Sequence, residues 1–131
     1  KYKPNKINDL SEFQNLTNLV DLTITQSSIV SLEGIENLTK LEELTLAYNP
    51  KLEHSLSSEN KLENVKSLII ESCKKLDNSF IESMPNLESL EIRNQGEIET
   101  IKPYLQGFKK LKRLFVGAET KIKELENLIL K

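Results

Sequence analysis

The chain has one cysteine, Cys73, and so no means of forming an internal disulfide; its stability has to come from packing. It also lacks a dominant sign of charge. Acidic and basic residues are interspersed and leave a net charge of −2, which argues against nucleic acid or an anionic membrane as the main partner. No apolar run approaches the length of a membrane span and no secretory signal is present, so insertion into a bilayer is not expected. The four glycines are scattered, and none belongs to a Gly-rich phosphate loop. CxxC and HExxH motifs and calcium-binding loops are lacking too, so no metal and no cofactor is expected. The single histidine, His54, follows Leu52 in a turn and has no nucleophile motif to serve, which suits a surface side chain better than a catalytic one. With no catalytic residue to name, the chain reads as a non-enzyme. Arginine and alanine are scarce beside abundant lysine, asparagine and isoleucine. That usage follows A/T-rich codons and points to a low-GC bacterium or an A/T-rich protist.

What the sequence does have is a repeat. Leu19-x-x-Leu22-x-Ile24-x-x-Ser27-x-Ile29 sets a template that recurs as Leu41-x-x-Leu44-x-Leu46-x-x-Asn49 and as Val65-x-x-Leu68-x-Ile70-x-x-Cys73-x-x-Leu76. It returns as Leu87-x-x-Leu90-x-Ile92-x-x-Gln95-x-x-Ile98 and as Leu111-x-x-Leu114-x-Val116-x-x-Glu119-x-x-Ile122. The starts at 19, 41, 65, 87 and 111 are 22 or 24 residues apart. Apolar residues at the fourth and sixth positions alternate with polar ones, the period of a strand with one buried face. Strands are therefore expected around 21–25, 43–47, 67–71, 89–93 and 113–117, parallel in one sheet, with Leu22, Leu44, Leu68, Leu90 and Leu114 buried. The second half of the repeat changes rhythm. Leu32, Ile35 and Leu38, and again Ile101, Tyr104 or Leu105, and Phe108, recur every three to four residues, which suits short helical or 3₁₀ turns. One such unit cannot bury its own apolar face, so neighbours must stack to share a core.

This pattern resembles the leucine-rich-repeat family, and the resemblance covers the whole chain. It implies an α/β fold: a solenoid with a single curved parallel sheet on its concave face and short helical or 3₁₀ turns on its convex face. Residues 1–131 would form one domain of about five to six repeats. The 22-residue units and the phrase Gly34-Ile35-Glu36-Asn37-Leu38-Thr39-Lys40-Leu41 resemble the short-repeat class, which includes bacterial internalin-type surface proteins and regulatory subunits of the type-one protein phosphatase. The ninth position of the family's repeat normally holds Asn, bonded to the turn after the strand. Here it holds Ser27, Asn49, Cys73, Gln95 and Glu119. A buried thiol bonded to the turn backbone suits Cys73; a looser turn is expected at Gln95 and Glu119. The sequons Asn15-Leu16-Thr17 and Asn37-Leu38-Thr39, one period apart, read as turn residues of the repeat.

Both ends fall inside a repeat. Ile7-x-x-Leu10-x-x-Phe13-x-x-Leu16 copies the run from Ile29 to Leu38, which places Tyr2 at a core strand position and Asn5 at the ninth. Ile122, Leu125 and Leu128 match Ile29, Leu32 and Ile35. The chain is thus expected to be a fragment of a longer array, and uncapped ends would allow end-to-end self-association. A fold-back of Leu128-Ile129-Leu130 as a cap is the alternative.

The resemblance implies a protein–protein interaction module that binds a partner of unknown identity through the concave face, in a bacterial surface or secreted protein. An extracellular or cell-surface setting follows, with the cytoplasm as the alternative. Two other roles compete: an intracellular regulatory or targeting subunit, and a substrate-selecting domain of a larger enzyme. The outward positions supply the candidate face: Thr23, Thr25, Thr45, Tyr48, Ile69, Glu71, Glu91, Arg93, Arg113 and Phe115. Tyr48, Ile69 and Phe115 are its apolar anchors. Glu71 and Arg93 share a repeat position in adjacent strands and are expected to pair laterally, with Glu91 and Arg113 on a diagonal.

Overall fold

The computed structural model describes residues 9–54, 60–95 and 105–117, the side chain of residue 12 excepted. It holds one sheet of five strands, all parallel and in chain order. The strands are β1 (Asp21–Thr25), β2 (Glu43–Ala47), β3 (Ser67–Glu71), β4 (Ser89–Arg93) and β5 (Arg113–Val116). They lie where the repeat predicts, except that β5 stops at Val116, one residue short of the expected end. Every register pair joins equivalent repeat positions: Leu22 faces Leu44, Leu44 faces Leu68, Leu68 faces Leu90 and Leu90 faces Leu114. The reason is the side-chain period of two, since a slip by one residue would turn each leucine from the core to the outer face.

The main chain repeats its bonding at both ends of the strands. At the entry, the carbonyls of Val20, Glu42, Lys66 and Glu88 each accept two N–H groups from the next unit. At the exit, Gln26, Tyr48, Ser72 and Asn94 all take left-handed backbone, with φ between 48° and 56°. The N–H groups of Gln26, Tyr48 and Ser72 then donate to the carbonyls of Ala47, Glu71 and Arg93. Only Asn94 is a residue type that favours this region. The other three hold it at a cost of about 1–2 kcal/mol each, offset by the ladder bond it permits.

The core lies under the inner face of the sheet. Leu44, Leu46, Leu68, Ile70, Leu90 and Ile92 come down from the strands onto Leu32, Ile35, Leu38, Leu52, Leu62, Phe80, Ile81 and Met84 from the returning segments. Burying a side chain of this size stabilises by about 1.5–3 kcal/mol relative to leaving it in water. The returning segments carry 3₁₀ turns at Ser11–Phe13, Ile35–Asn37 and Asn78–Ser83. The Ile35–Asn37 turn sits within the predicted apolar triplet. The Asn78–Ser83 turn is initiated by Asp77, whose carboxylate accepts the Ser79 N–H at 3.0 Å. Gly34, with φ of 104°, packs so closely on Leu10 that a Cβ there would meet its carbonyl carbon at 2.6 Å, so two backbones can approach only because residue 34 has no side chain.

Two expectations need correction. Leu22 and Leu114 are half-buried rather than buried, although each packs against the core. They sit in β1 and β5, which among the described residues have a neighbouring strand on one side only. The expectations for Tyr2, Asn5, Ile98, Ile101, Tyr104, Glu119, Ile122 and the stretch from Leu128 to Leu130 lie outside the described residues. Among the described residues no helix is long and apolar enough to cross a membrane.

Candidate functional site

Odd positions of the strands carry their side chains to the outer face. Thr23, Thr25 and Arg113 are exposed there, as is Phe115, while Thr45, Ile69, Glu71, Glu91 and Arg93 are half-buried. Tyr48 stands just beyond the end of β2. It and Phe115, at 48% and 44% exposure, are large apolar side chains left substantially open to solvent.

Glu71 and Arg93 are register partners at the ends of β3 and β4, yet they do not form the expected pair. The Glu71 carboxylate accepts the Tyr48 hydroxyl at 2.8 Å. Arg93 turns back along its own strand, where its Nε donates to Glu91 at 2.9 Å, and its guanidinium lies 4.4 Å from the centre of the Phe115 ring. Two local causes account for the exchange. The Tyr48 hydroxyl, from the turn after β2, already takes up the Glu71 carboxylate, and a flat guanidinium gains from stacking on an aromatic face on its other side. Glu91 is thereby occupied, and Arg113 has no ion-pair partner among the described residues, so the diagonal pair is not formed either.

The electrostatics follow these contacts. The Tyr48 phenol is held above its ordinary range, first by the hydrogen bond to Glu71 and then by that carboxylate's charge, with Arg93 pulling weakly the other way. Arg93 is held more firmly protonated still, first by its bond to Glu91. The result is a connected patch: Tyr48 to Glu71 on one side, Glu91 to Arg93 to Phe115 on the other, with Ile69 between the two carboxylates in register with Thr45 and Glu91.

The strand-exit ladder supports this patch from below. Asn49 is fully buried; its Oδ1 accepts the Ser27 N–H at 3.1 Å and the Ser27 hydroxyl at 2.7 Å, and its Nδ2 donates to the Ile24 carbonyl. Cys73 is buried and its thiol donates to the Glu71 carbonyl at 3.5 Å, as expected of a structural thiol. Burial pushes that thiol's pKa up, against the pull of its hydrogen bonds with Asn49 and Glu71. The looser turn expected at Gln95 is not found. Gln95 is buried and bonds both the N–H and the carbonyl of Cys73, because its extra methylene lets the amide reach the neighbouring turn.

Two further rows escaped the reading of the repeat. The residue before the repeat starts at 41, 65 and 87 reaches back one unit: Lys40 donates to Asn18, Asn64 to the Thr39 carbonyl, and Asn86 to the Glu63 carbonyl. At the second repeat position Glu42, Lys66, Glu88 and Lys112 alternate in sign, with Lys66–Glu42 at 3.8 Å and Lys112–Glu88 at 3.7 Å. The alternation was visible in the spacing and only needed tabulating by repeat position. Exposed pairs of this kind contribute about 0–1 kcal/mol each and serve register more than stability. His54 is exposed and takes part through its backbone, bridging in parallel to Ser31.

Comparison with protein-family models, with curated proteins and with solved structures finds no significant match to this chain.

Proposed function

We propose that the chain is a leucine-rich-repeat solenoid segment whose concave face binds a protein partner, as a non-catalytic module of a bacterial surface or secreted protein. The repeated LxxLxL phrase supports the family reading, together with equivalent positions in register across five parallel strands. The observation that carries the binding role is the patch itself. Tyr48 and Phe115 stand open to solvent at its two sides, and Glu71, Glu91 and Arg93 are fixed between them by hydrogen bonds and stacking. Aromatic and arginine side chains held in place before binding lose little freedom on contact, which is what interface anchors require. A solvated face with no partner would need only small polar residues, as β1 has in Thr23 and Thr25.

Affinity for an isolated partner tests this. Truncating Tyr48 and Phe115 to Ala should each weaken binding by about 2 kcal/mol or more, and Lys61→Ala should leave it near neutral. A partner whose affinity ignores both anchors would move the site elsewhere, with the segment 52–64 next in line.

A further inference from the structure

The outer face carries its charges unevenly. On β1 and β2 the ionisable side chains of the face are Asp21 and Glu43, both exposed and directly opposite each other in register. Neither carboxylate has a hydrogen-bond or ion-pair partner among the described residues. Like charges placed side by side on neighbouring strands repel, and a cation set between them would relieve that repulsion. On β4 and β5 the balance reverses. Arg93 and Arg113 outnumber Glu91, which is already bonded to Arg93, and the neighbouring Glu71 of β3 is taken up by the Tyr48 hydroxyl.

Arg93 is also presented in a particular way. Its Nε is tied to Glu91 and its plane lies over Phe115, so the orientation of the head group is set. A guanidinium has five N–H donors. Apart from the Nε bond, those of Arg93 have no acceptor among the described residues. What remains is a fork of the geometry that takes a carboxylate through two parallel bonds. Ile69, on the middle strand, lies between the acidic and the basic side.

Resting on the concave-face reading, we infer that this face takes an extended protein segment with a basic residue over Asp21 and Glu43, an apolar residue over Ile69, and an acidic residue in the Arg93 fork beside Phe115. The spacing is set by the sheet. Arg93 lies two to three strands across and four residues along from Glu43 and Asp21, a diagonal of roughly 16–20 Å at ~4.8 Å per strand and ~3.3 Å per residue, which an extended chain covers in about five to six residues. A basic and an acidic residue about five to six positions apart, with an apolar residue between them, is therefore the recognised pattern. The charges also set the orientation of the bound segment, since the reversed segment would put its acid on Asp21 and Glu43.

A phage-displayed library of random peptides, panned on the whole 131-residue chain, tests this. The enriched peptides should carry the basic–apolar–acidic pattern. Arg93→Gln should weaken them by roughly tenfold or more, the value of a hydrogen-bonded charged contact. The double change Asp21→Asn with Glu43→Gln should also weaken them, and peptides with Lys in place of the acid should regain binding to Arg93→Glu. Added salt should weaken the parent complex more than the Arg93→Gln complex. All of these positions are at least partly exposed, and matched thermal melts verify that each variant keeps its fold. Enriched peptides that depend on Phe115 but show no charge pattern overturn this inference and leave the concave-face reading standing. Peptides indifferent to Phe115→Ala and Tyr48→Ala, or no enrichment at all, overturn both.

Discussion

Gln95 holds the backbone of Cys73 from both sides: its Oε1 accepts the Cys73 N–H at 2.7 Å, and its Nε2 donates to the Cys73 carbonyl at 2.6 Å. All of these atoms belong to buried residues, so water cannot replace a lost partner. Gln95→Ala should therefore cost about 1–3 kcal/mol for each backbone group left unpaired. Urea unfolding measures it, and an unchanged midpoint would show that the clasp adds nothing to stability.

Leu68 and Leu22 occupy the same repeat position in different surroundings. Leu68 is fully buried on the central strand, and Leu22 is half-buried on β1. Leu68→Ala should destabilise by about 2–5 kcal/mol, from lost contact and the cavity left behind. Leu22→Ala should cost clearly less. Thermal melts of the two variants side by side check the order, and equal losses would contradict the difference in packing.

The Tyr48 phenol should titrate above the usual tyrosine value, because its bond to Glu71 favours the protonated form. The folded pKa exceeds the unfolded one, so the contribution of this contact is full below the unfolded value of about 10 and is lost as pH rises through the folded value. The phenolate absorbance of the parent minus that of Tyr48→Phe isolates this group. Glu71→Gln should move its titration down, since the leading cause is then weakened and the negative charge is gone.

Arg93 and Phe115 should be energetically coupled. A double-mutant cycle with Arg93→Ala and Phe115→Ala, read by stability, should give about 0.5–1 kcal/mol for a stacked cation at a partly exposed site. The same cycle between Arg93 and Glu71 should give less, because Glu71 bonds to Tyr48 and acts on Arg93 only through its charge. A larger coupling to Glu71 than to Phe115 would mean that the lateral pair forms in solution after all.

Strand positions and register were legible because they depend on the phase of a pattern, and five copies of the pattern state that phase redundantly. The half-burial of Leu22 and Leu114 was not. Their local sequence matches that of Leu68, and what differs is whether, among the described residues, a strand lies on both sides, which no window around a residue contains. On the candidate face the sequence named the residues but mispaired them. Laterally equivalent charges suggested Glu71 with Arg93. The outcome turned on two facts outside strand periodicity: a tyrosine hydroxyl in the strand-exit turn that bonds Glu71, and an aromatic ring one strand over from Arg93. At Gln95, comparison with an Asn-bearing consensus suggested a defect, whereas side-chain length allows an equivalent bond from farther away.

The strand order has a consequence for how the sheet comes apart. Among the described residues each strand pairs only with the strands before and after it in the chain, and no pairing joins β1 to β5 or skips a unit. Opening can therefore proceed inward from either side, one unit at a time, without breaking anything more distant. Backbone amides of β3 should exchange with deuterated solvent most slowly, those of β2 and β4 faster, and those of β1 and β5 fastest. Glu71 then belongs to the slow middle, Tyr48, Glu91 and Arg93 to the strands on either side of it, and Phe115 to the quickest strand, so the patch loses its shape from Phe115 inward.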